Sequence, residues 1–467
     1  MTKAGFSKVD ITKAFTYKAC GYKVNDPLYA RCFVLVQNDK TQQLTFSLDY
    51  VDFPEPLVTD YRRRIAKALG INPGKIVIHS THAHSVPSLA NLNPDHLVKL
   101  LIATAKKAVN KSCITSTAFI KTEAGKGFNL NRRWDSKKNL GTVTVIDNNG
   151  CTFKNGTAYV KDYVKNELKA LGFPKINVSA SAKLDGTLDP DLTMLLFKNN
   201  HGKITGGIVR YASHPTFVAH FQGNIISSDY PAFLLKALEK HFGGDFIFLN
   251  GCSGDLRPCS KNYTCKGAEY FGKILAKKLI RASKSPIFSP LTKAVYSTKK
   301  IGLKTRRDFE KDINKLTANF WLLREKNTPG SLSKMPIKKA REKDALRWIN
   351  DYLIYMNFTI FKGNKTFITR KYWPYELGIL SLGPVNYVFF QEEVFSKMTT
   401  YIKNHYPEMN LNTVAHSNGC SFYLVPNNEI KKGGYEYTAS IFEKGAFEVV
   451  QNNVRKLISK CIPGKLS

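Results

Sequence analysis

The sequence predicts an α/β protein: mixed β-sheets flanked by helices, gathered in one large domain. Three observations carry this reading. Strand-sized apolar runs alternate with stretches of helical spacing along most of the 467 residues. Hydrophobic residues make up 43% of the chain, enough for a sizeable core. Several apolar runs also stop abruptly at histidines or carboxylates, as strands do when they deliver ligand-binding side chains to the carboxyl edge of a sheet.

In order, 5–12 (GFSKVDIT) and 26–37 (DPLYARCFVLVQ) read as short strands around the turn-rich GYKVNDP. Gln43 to Ser47 is a further strand, running into Leu48-Asp49-Tyr50-Val51-Asp52. Pro56 to Leu69 has helical spacing and a Gly70 stop. This β-α unit leads into KIVIHSTHAHSVP (75–87), where Ile76-Val77-Ile78 gives way to His79, His82 and His84. His82 and His84 are two apart, so on an extended backbone they point to the same side. Pro94 to Asn110 is a second amphipathic helix, and GFNLNRRW (127–134) is polar and loop-like.

Asp185 to Asn199 and Lys203 to Ala212 form a strand pair, the second ending in Ser213-His214-Pro215-Thr216. Asp229 to Phe242 is helical, and Asp245 to Asn250 is a buried-type strand that empties into GCSGDLRP (251–258). Residues 304–370 are basic, broken at Pro329-Gly330, and read as a helical insertion or cap. Strands resume at Leu377 to Leu382 and Asn386 to Phe390, the latter reaching Gln391-Glu392-Glu393. Helices at 395–405 and 446–460 bracket Asn418-Gly419-Cys420-Ser421-Phe422-Tyr423.

Three strand ends therefore carry residues able to bind a metal: His82/His84, His214 and Glu392/Glu393. Two histidines and a carboxylate with one open position are a common hydrolytic zinc arrangement. Gly251-Cys252-Ser253-Gly254 departs from the nucleophile elbow G-x-S-x-G at Asp255, and reads as a glycine-permitted turn.

Charge and composition bound the partners. Lys and Arg total 70 against 36 Asp and Glu, a net charge of +34. Such a surface suits an anionic membrane, nucleic acid or an acidic substrate, although its even spread also fits simple solubility. No apolar run approaches the ~18 residues of a membrane span. The N-terminus lacks the apolar stretch of a secretory signal, and the nine cysteines are scattered without zinc-knuckle spacing. A cytoplasmic protein with reduced thiols is expected.

Taken in order, GFSKVDIT, DPLYAR, THAHSVP, NLNRR, SHPT, SSDY, NGCSGDLRP, EEVF and NGCSFYLVP with GGYE resemble the catalytic domain of the neutral (non-lysosomal) ceramidase family. The resemblance implies a zinc-dependent amidase, without the family's additional C-terminal β-sandwich. It implies Zn²⁺ held by His82, His214, Glu393 and Tyr423; Gln391-Glu392 replaces the family's Pro-Gly, which leaves Glu392 as the alternative to Glu393. His84, Arg132 and Tyr423 are the implied catalytic or substrate-contacting groups. The family's GDxSP serine is replaced by Arg257, which with Asp255 is expected to meet the substrate. An arginine there suits a carboxylate or phosphate, so the expected substrate is a small-molecule or lipid-like amide, acidic rather than ceramide itself. The competing expectation is a polyanion-binding protein on a hydrolase scaffold.

Overall fold

In the computed structural model, alternation along Tyr29–Gln37 sorts two sets of buried side chains. Cys32, Val34 and Val36 enter one core, Phe33 and Leu35 another. A strand buried on both faces needs a layer on each side, and that requirement organises the chain. The structure describes residues 2–18, 21–125, 128–134, 141–142, 152–154, 157–159, 181–183, 186–218, 224–260, 263–292, 294–306, 371–420, 422–432 and 435–462.

The larger sheet contains β1 (Thr2–Asp10), β2 (Tyr29–Gln37), β3 (Lys40–Leu48), β4 (Ile76–Ser80), β5 (Cys113–Glu123), β6 (Asp191–Asn199), β7 (Ile204–Tyr211) and β8 (Asp245–Asn250). Its order is β8-β7-β6-β5-β1-β2-β3-β4, with the short strand Ser289–Pro290 against β5. Neighbours are antiparallel except β3–β4 and β7–β8, which are parallel. The second sheet runs β9 (Ala294–Lys304), β10 (Tyr372–Leu382), β11 (Val385–Phe390), β12 (Asn410–Val414), with only β11–β12 parallel.

The two sheets pack face to face. Phe6, Phe33, Phe197, Ile208 and Ile247 from the first meet Leu380, Tyr387, Phe389 and Val414 from the second. The three phenylalanine rings lie 5.1–5.3 Å apart between centroids. Helices close the outer faces. α1 (Glu55–Leu69) and α2 (Pro94–Asn110) cover the β1–β4 half of the larger sheet. α3 (Asp229–Phe242) and α4 (Cys265–Ala282) cover the β5–β8 half. α5 (Lys397–His405) and α6 (Ala446–Cys461) cover the second sheet. The result is four layers: helix, sheet, sheet, helix.

Local signals explain the helix limits. Asn93 caps α2 by accepting from His96 N at 3.0 Å, and Pro94 sits where no intrahelical donor is needed. α1 stops at Gly70, whose φ of 65° admits the left-handed turn. Gly272 lets α4 press against α3, since a Cβ there would lie 2.5 Å from Tyr230 O.

The expected strands and helices are present with limits shifted by a few residues, and β5, α4, β9 and β12 are additional. The strand expected from Asp185 begins at Asp191. The expected insertion at 304–370 lies outside the described residues beyond Arg306. Its flanks are strands, with Lys304 opposite Tyr372, so the chain leaves and rejoins the second sheet at neighbouring positions. Among the described residues, no helix is long and apolar enough to cross a membrane.

Candidate metal centre

The carboxyl ends of β4, β7, β8, β11 and β12 meet at one edge, and hydrogen bonds fasten them together. Asn250, at the end of β8, is the hub. Its N–H donates to His79 Nε2 at 3.0 Å, its Nδ2 to Thr81 O at 3.1 Å, and its carbonyl accepts from Ala415 N at 3.0 Å. His79 Nδ1 in turn lies 2.9 Å from Ala415 O, so this buried ring is neutral, and burial lowers its pKa to about 3. Ser417 N donates to Phe390 O at 3.0 Å, which ties β11 to the loop after β12.

Past these ends the side chains converge. β4 ends at Ser80, and His82 adopts φ 70° rather than an extended conformation. His82 and His84 therefore come together through a turn and not through the pleat, with ring centroids 4.6 Å apart. His82 Nδ1 lies 2.9 Å from Val51 O and His214 Nδ1 2.8 Å from Leu256 O. In each contact Nδ1–H donates to the carbonyl, which turns Nε2 inward, as outer-shell partners do for metal-binding histidines. Glu393 Oε2 sits between them, 3.3 Å from His82 Nε2 and 3.0 Å from His214 Nε2. Tyr423 pairs in register with Glu393 on adjacent parallel strands, which puts both side chains on one face. Its hydroxyl accepts from Arg132 Nη2 at 3.0 Å.

The donors fit zinc. Ligands about 2.0–2.1 Å from a tetrahedral ion stand about 3.3 Å from one another, and the two Nε2–Oε2 separations are 3.0 and 3.3 Å. Two imidazoles, a carboxylate and a phenol also match zinc's preference for nitrogen and oxygen donors.

The electrostatics of the cluster set buried carboxylates against buried histidines. Burial alone would lower the pKa of His82, but the Glu393 and Asp52 carboxylates outweigh it and push it up to about 10. His214 goes the other way, to about 3, driven by burial and then by the Arg132 charge. The protein thus keeps one proton on His82, and that charge holds Glu393 ionised against its burial. Arg132 is itself fixed, with Nε 2.9 Å from Glu436 Oε1 and Nη2 donating to Gly254 O at 2.6 Å.

No family model and no curated protein matches the sequence. Solved structures do match. Neutral ceramidase from Pseudomonas aeruginosa superposes with a TM-score of 0.64 at 14% identity, over 97% of this chain and 73% of that one. A structure described as ceramidase complexed with C2 gives 0.63 at 14%, over 97% and 74%. The fold is neutral ceramidase-like.

Within this ceramidase-like fold the expected residues divide into two groups. His82, His84, His214, Glu393, Tyr423 and Arg132 come together. Glu392 turns away: its carboxylate accepts from Trp373 Nε1 at 3.1 Å and Phe422 N at 2.8 Å. Asp255 is buried, taking Ser396 N at 2.6 Å on one oxygen and Asn131 Nδ2 at 2.7 Å on the other, a tie between the loops of the two sheets. Arg257 is 1% exposed, its guanidinium 5.1 Å over the Tyr263 ring.

Two site residues escaped the sequence reading, Asp52 and His416. Asp52 Oδ1 lies 3.4 Å from His82 Nδ1. His416 stacks on His82, with centroids 4.2 Å apart and planes 22° from parallel. The ligand atoms of Asp52, His82 and His416 lie within 4.8 Å of one another, so His416 is a further candidate donor beside His82 as well as a brace for its ring. Its signal was present, since Asn410–Val414 is another strand ending in a histidine.

Proposed function

We propose that the protein is a zinc-dependent hydrolase of amides, with His82, His214, Glu393 and Tyr423 as the metal's ligands. The observation that carries the proposal is Glu393 Oε2 placed between two inward-facing imidazole nitrogens delivered by different strands. The ceramidase-like fold supports the amide as the bond cleaved. Bound there, zinc would supply Lewis acidity and bring the pKa of water to about 7.

The chain's own residues do the rest. Arg132, held from three sides, keeps a fixed cation beside Tyr423 where charge develops on the amide oxygen. His84, half-buried beside the two histidine ligands, would pass a proton to the leaving nitrogen. The buried walls exclude bulk water and strengthen both contacts.

The substrate we propose is lipid-like. The test is metal analysis of the purified protein together with hydrolysis of a panel of N-acyl amides with neutral and carboxylate-bearing amines. We expect stoichiometric zinc and turnover, both lost in His82→Ala and His214→Ala. A His82→Ala protein with full metal content and full turnover would overturn the assignment.

A further inference from the structure

We infer that the outer face of α3 and α4 is a docking surface for an anionic lipid membrane. Its lipid source rests on the amidase reading; its charge geometry does not. α4 exposes Lys266, Tyr270, Lys273, Lys277 and Arg281, and Lys284 follows just past its end. Successive members are three or four residues apart, which keeps those on α4 within an arc of about 80° and along about 22 Å. The opposite face of the same helix is the apolar one, with Phe271, Leu275 and Leu279 in the core. Thr264 caps the helix by accepting from Gly267 N at 3.1 Å, so the stripe starts on an ordered turn.

Among the described residues the stripe is nearly free of opposing charge. Glu269 is the α4 carboxylate beside it, and it is already bonded to Lys273 at 2.6 Å. α3, packed alongside through Gly272, adds exposed Lys236 and Lys240. The α3 acid nearest them, Glu239, turns inward to Lys8 and Arg31. A run of cations on one face, with its acids spent elsewhere, presents a positive strip to a flat anionic partner.

A merely solvated basic face has no use for exposed apolar groups, and this one has two. Tyr270 is 70% exposed in the middle of the lysines, and Ile287, just beyond the stripe, is 86% exposed. Lysines flanking an amphipathic ring are the composition that settles at the headgroup level of a bilayer. Nucleic acid would use the same cations but gains nothing from the isoleucine. The orientation also fits. α3 follows the β7 end that carries His214, and α4 follows the loop after β8, so both helices start at the site edge. A bilayer along this face would run past the amino-terminal turns of α4, where Lys266 and Tyr270 lie.

The test is co-sedimentation with vesicles of phosphatidylcholine alone or with 30 mol% phosphatidylglycerol, at about 0.1 and 0.5 M salt. Neither lipid contains an amide, so binding and hydrolysis can fail independently. We expect binding only to the anionic vesicles, weakened by salt, and lowered about 100-fold in K266Q/K273Q/K277Q, at about fivefold per cation. Y270S should weaken binding with the salt dependence kept. A control of equal charge change on the opposite layer, K444Q/K456Q/K460Q, should bind as the parent does. Thermal melts confirm that each variant is folded. Equal loss in both triples would overturn the proposal, because binding would then follow net charge alone. Tight binding of a single-stranded RNA with no vesicle binding would also overturn it.

Discussion

Arg62→Met tests whether the two sheets are locked together where the candidate centre needs them to be. Arg62 on α1 donates from Nη1 and Nη2 to the two oxygens of Glu376 on β10, both at 3.0 Å, with both side chains buried. Glu376 Oε1 also accepts from Asn418 Nδ2 at 2.8 Å. Asn418 then brackets Ile78, its N–H donating to Ile78 O at 2.7 Å and its Oδ1 accepting from Ile78 N at 3.0 Å. The pair therefore reaches the strand that carries His82. Removing the guanidinium leaves the buried carboxylate with Asn418 Nδ2 at 2.8 Å and the exposed Lys300 Nζ at 4.0 Å. Breaking such a pair from one side costs about 3–5 kcal/mol, while replacing both members by apolar groups costs far less. Chemical denaturation should therefore show Arg62→Met destabilised by about 3–5 kcal/mol and Arg62→Met/Glu376→Met restored by half or more. Zinc affinity should fall in the single variant, because the Asn418 bracket loosens. A loss below about 1 kcal/mol, the range of an exposed pair, would refute the buried lock.

Other consequences follow from the same geometry. Asp229 is buried and its pKa is raised from 3.8 to about 7, so its stabilising contribution is complete below pH 3.8 and is lost as pH rises through 7. Asp229→Asn should flatten the stability profile between those pH values by roughly 4 kcal/mol at most, read from denaturation midpoints across pH. Zinc loading at pH 8 should release at least one proton, because His82 must give up its own and water on the metal ionises in addition; calorimetry in two buffers of different ionisation enthalpy measures it, and zero release would contradict the charge state assigned to the cluster. Gly272→Ala should cost about 1–3 kcal/mol in a thermal or urea melt by forcing α4 off α3.

Strands and their faces were legible wherever apolar residues alternate or run together, as in Tyr29–Gln37, Ile76–Ser80 and Asp245–Asn250. His82 and His214 stood out because each follows such a run. Asn410–Val414 hid because Asn is disfavoured in strands; here Asn412 is buried and accepts from Thr193 Oγ1 at 2.9 Å, a contact that no local pattern reports. Missing that strand meant missing His416. α4 hid behind Gly267 and Gly272, which weaken helix propensity, yet Gly272 is what lets the helix seat against Tyr230.

The choice between Glu392 and Glu393 depended on something sequence does not carry. Glu392 has φ 66°, and the neighbouring carboxylates leave the backbone for different destinations, one to Trp373 and the other to the histidines. His82 and His416 are left-handed too, at φ 70° and 53°. Each non-glycine residue held there costs on the order of 1–3 kcal/mol unless its surroundings impose it. With Asn418 at φ 60°, four such residues at one sheet edge mean that the strand ends and the Asn250 and Asn418 hydrogen bonds, not local preference, set the directions of the candidate ligands. The same hydrogen bonds make the edge rigid before any ion arrives. A site preorganised in this way should bind its metal without backbone rearrangement, so the helix and strand content read by circular dichroism should be unchanged between metal-free and zinc-loaded protein. A large gain of structure on loading would mean that the ion, and not the fold, orients His82 and Glu393.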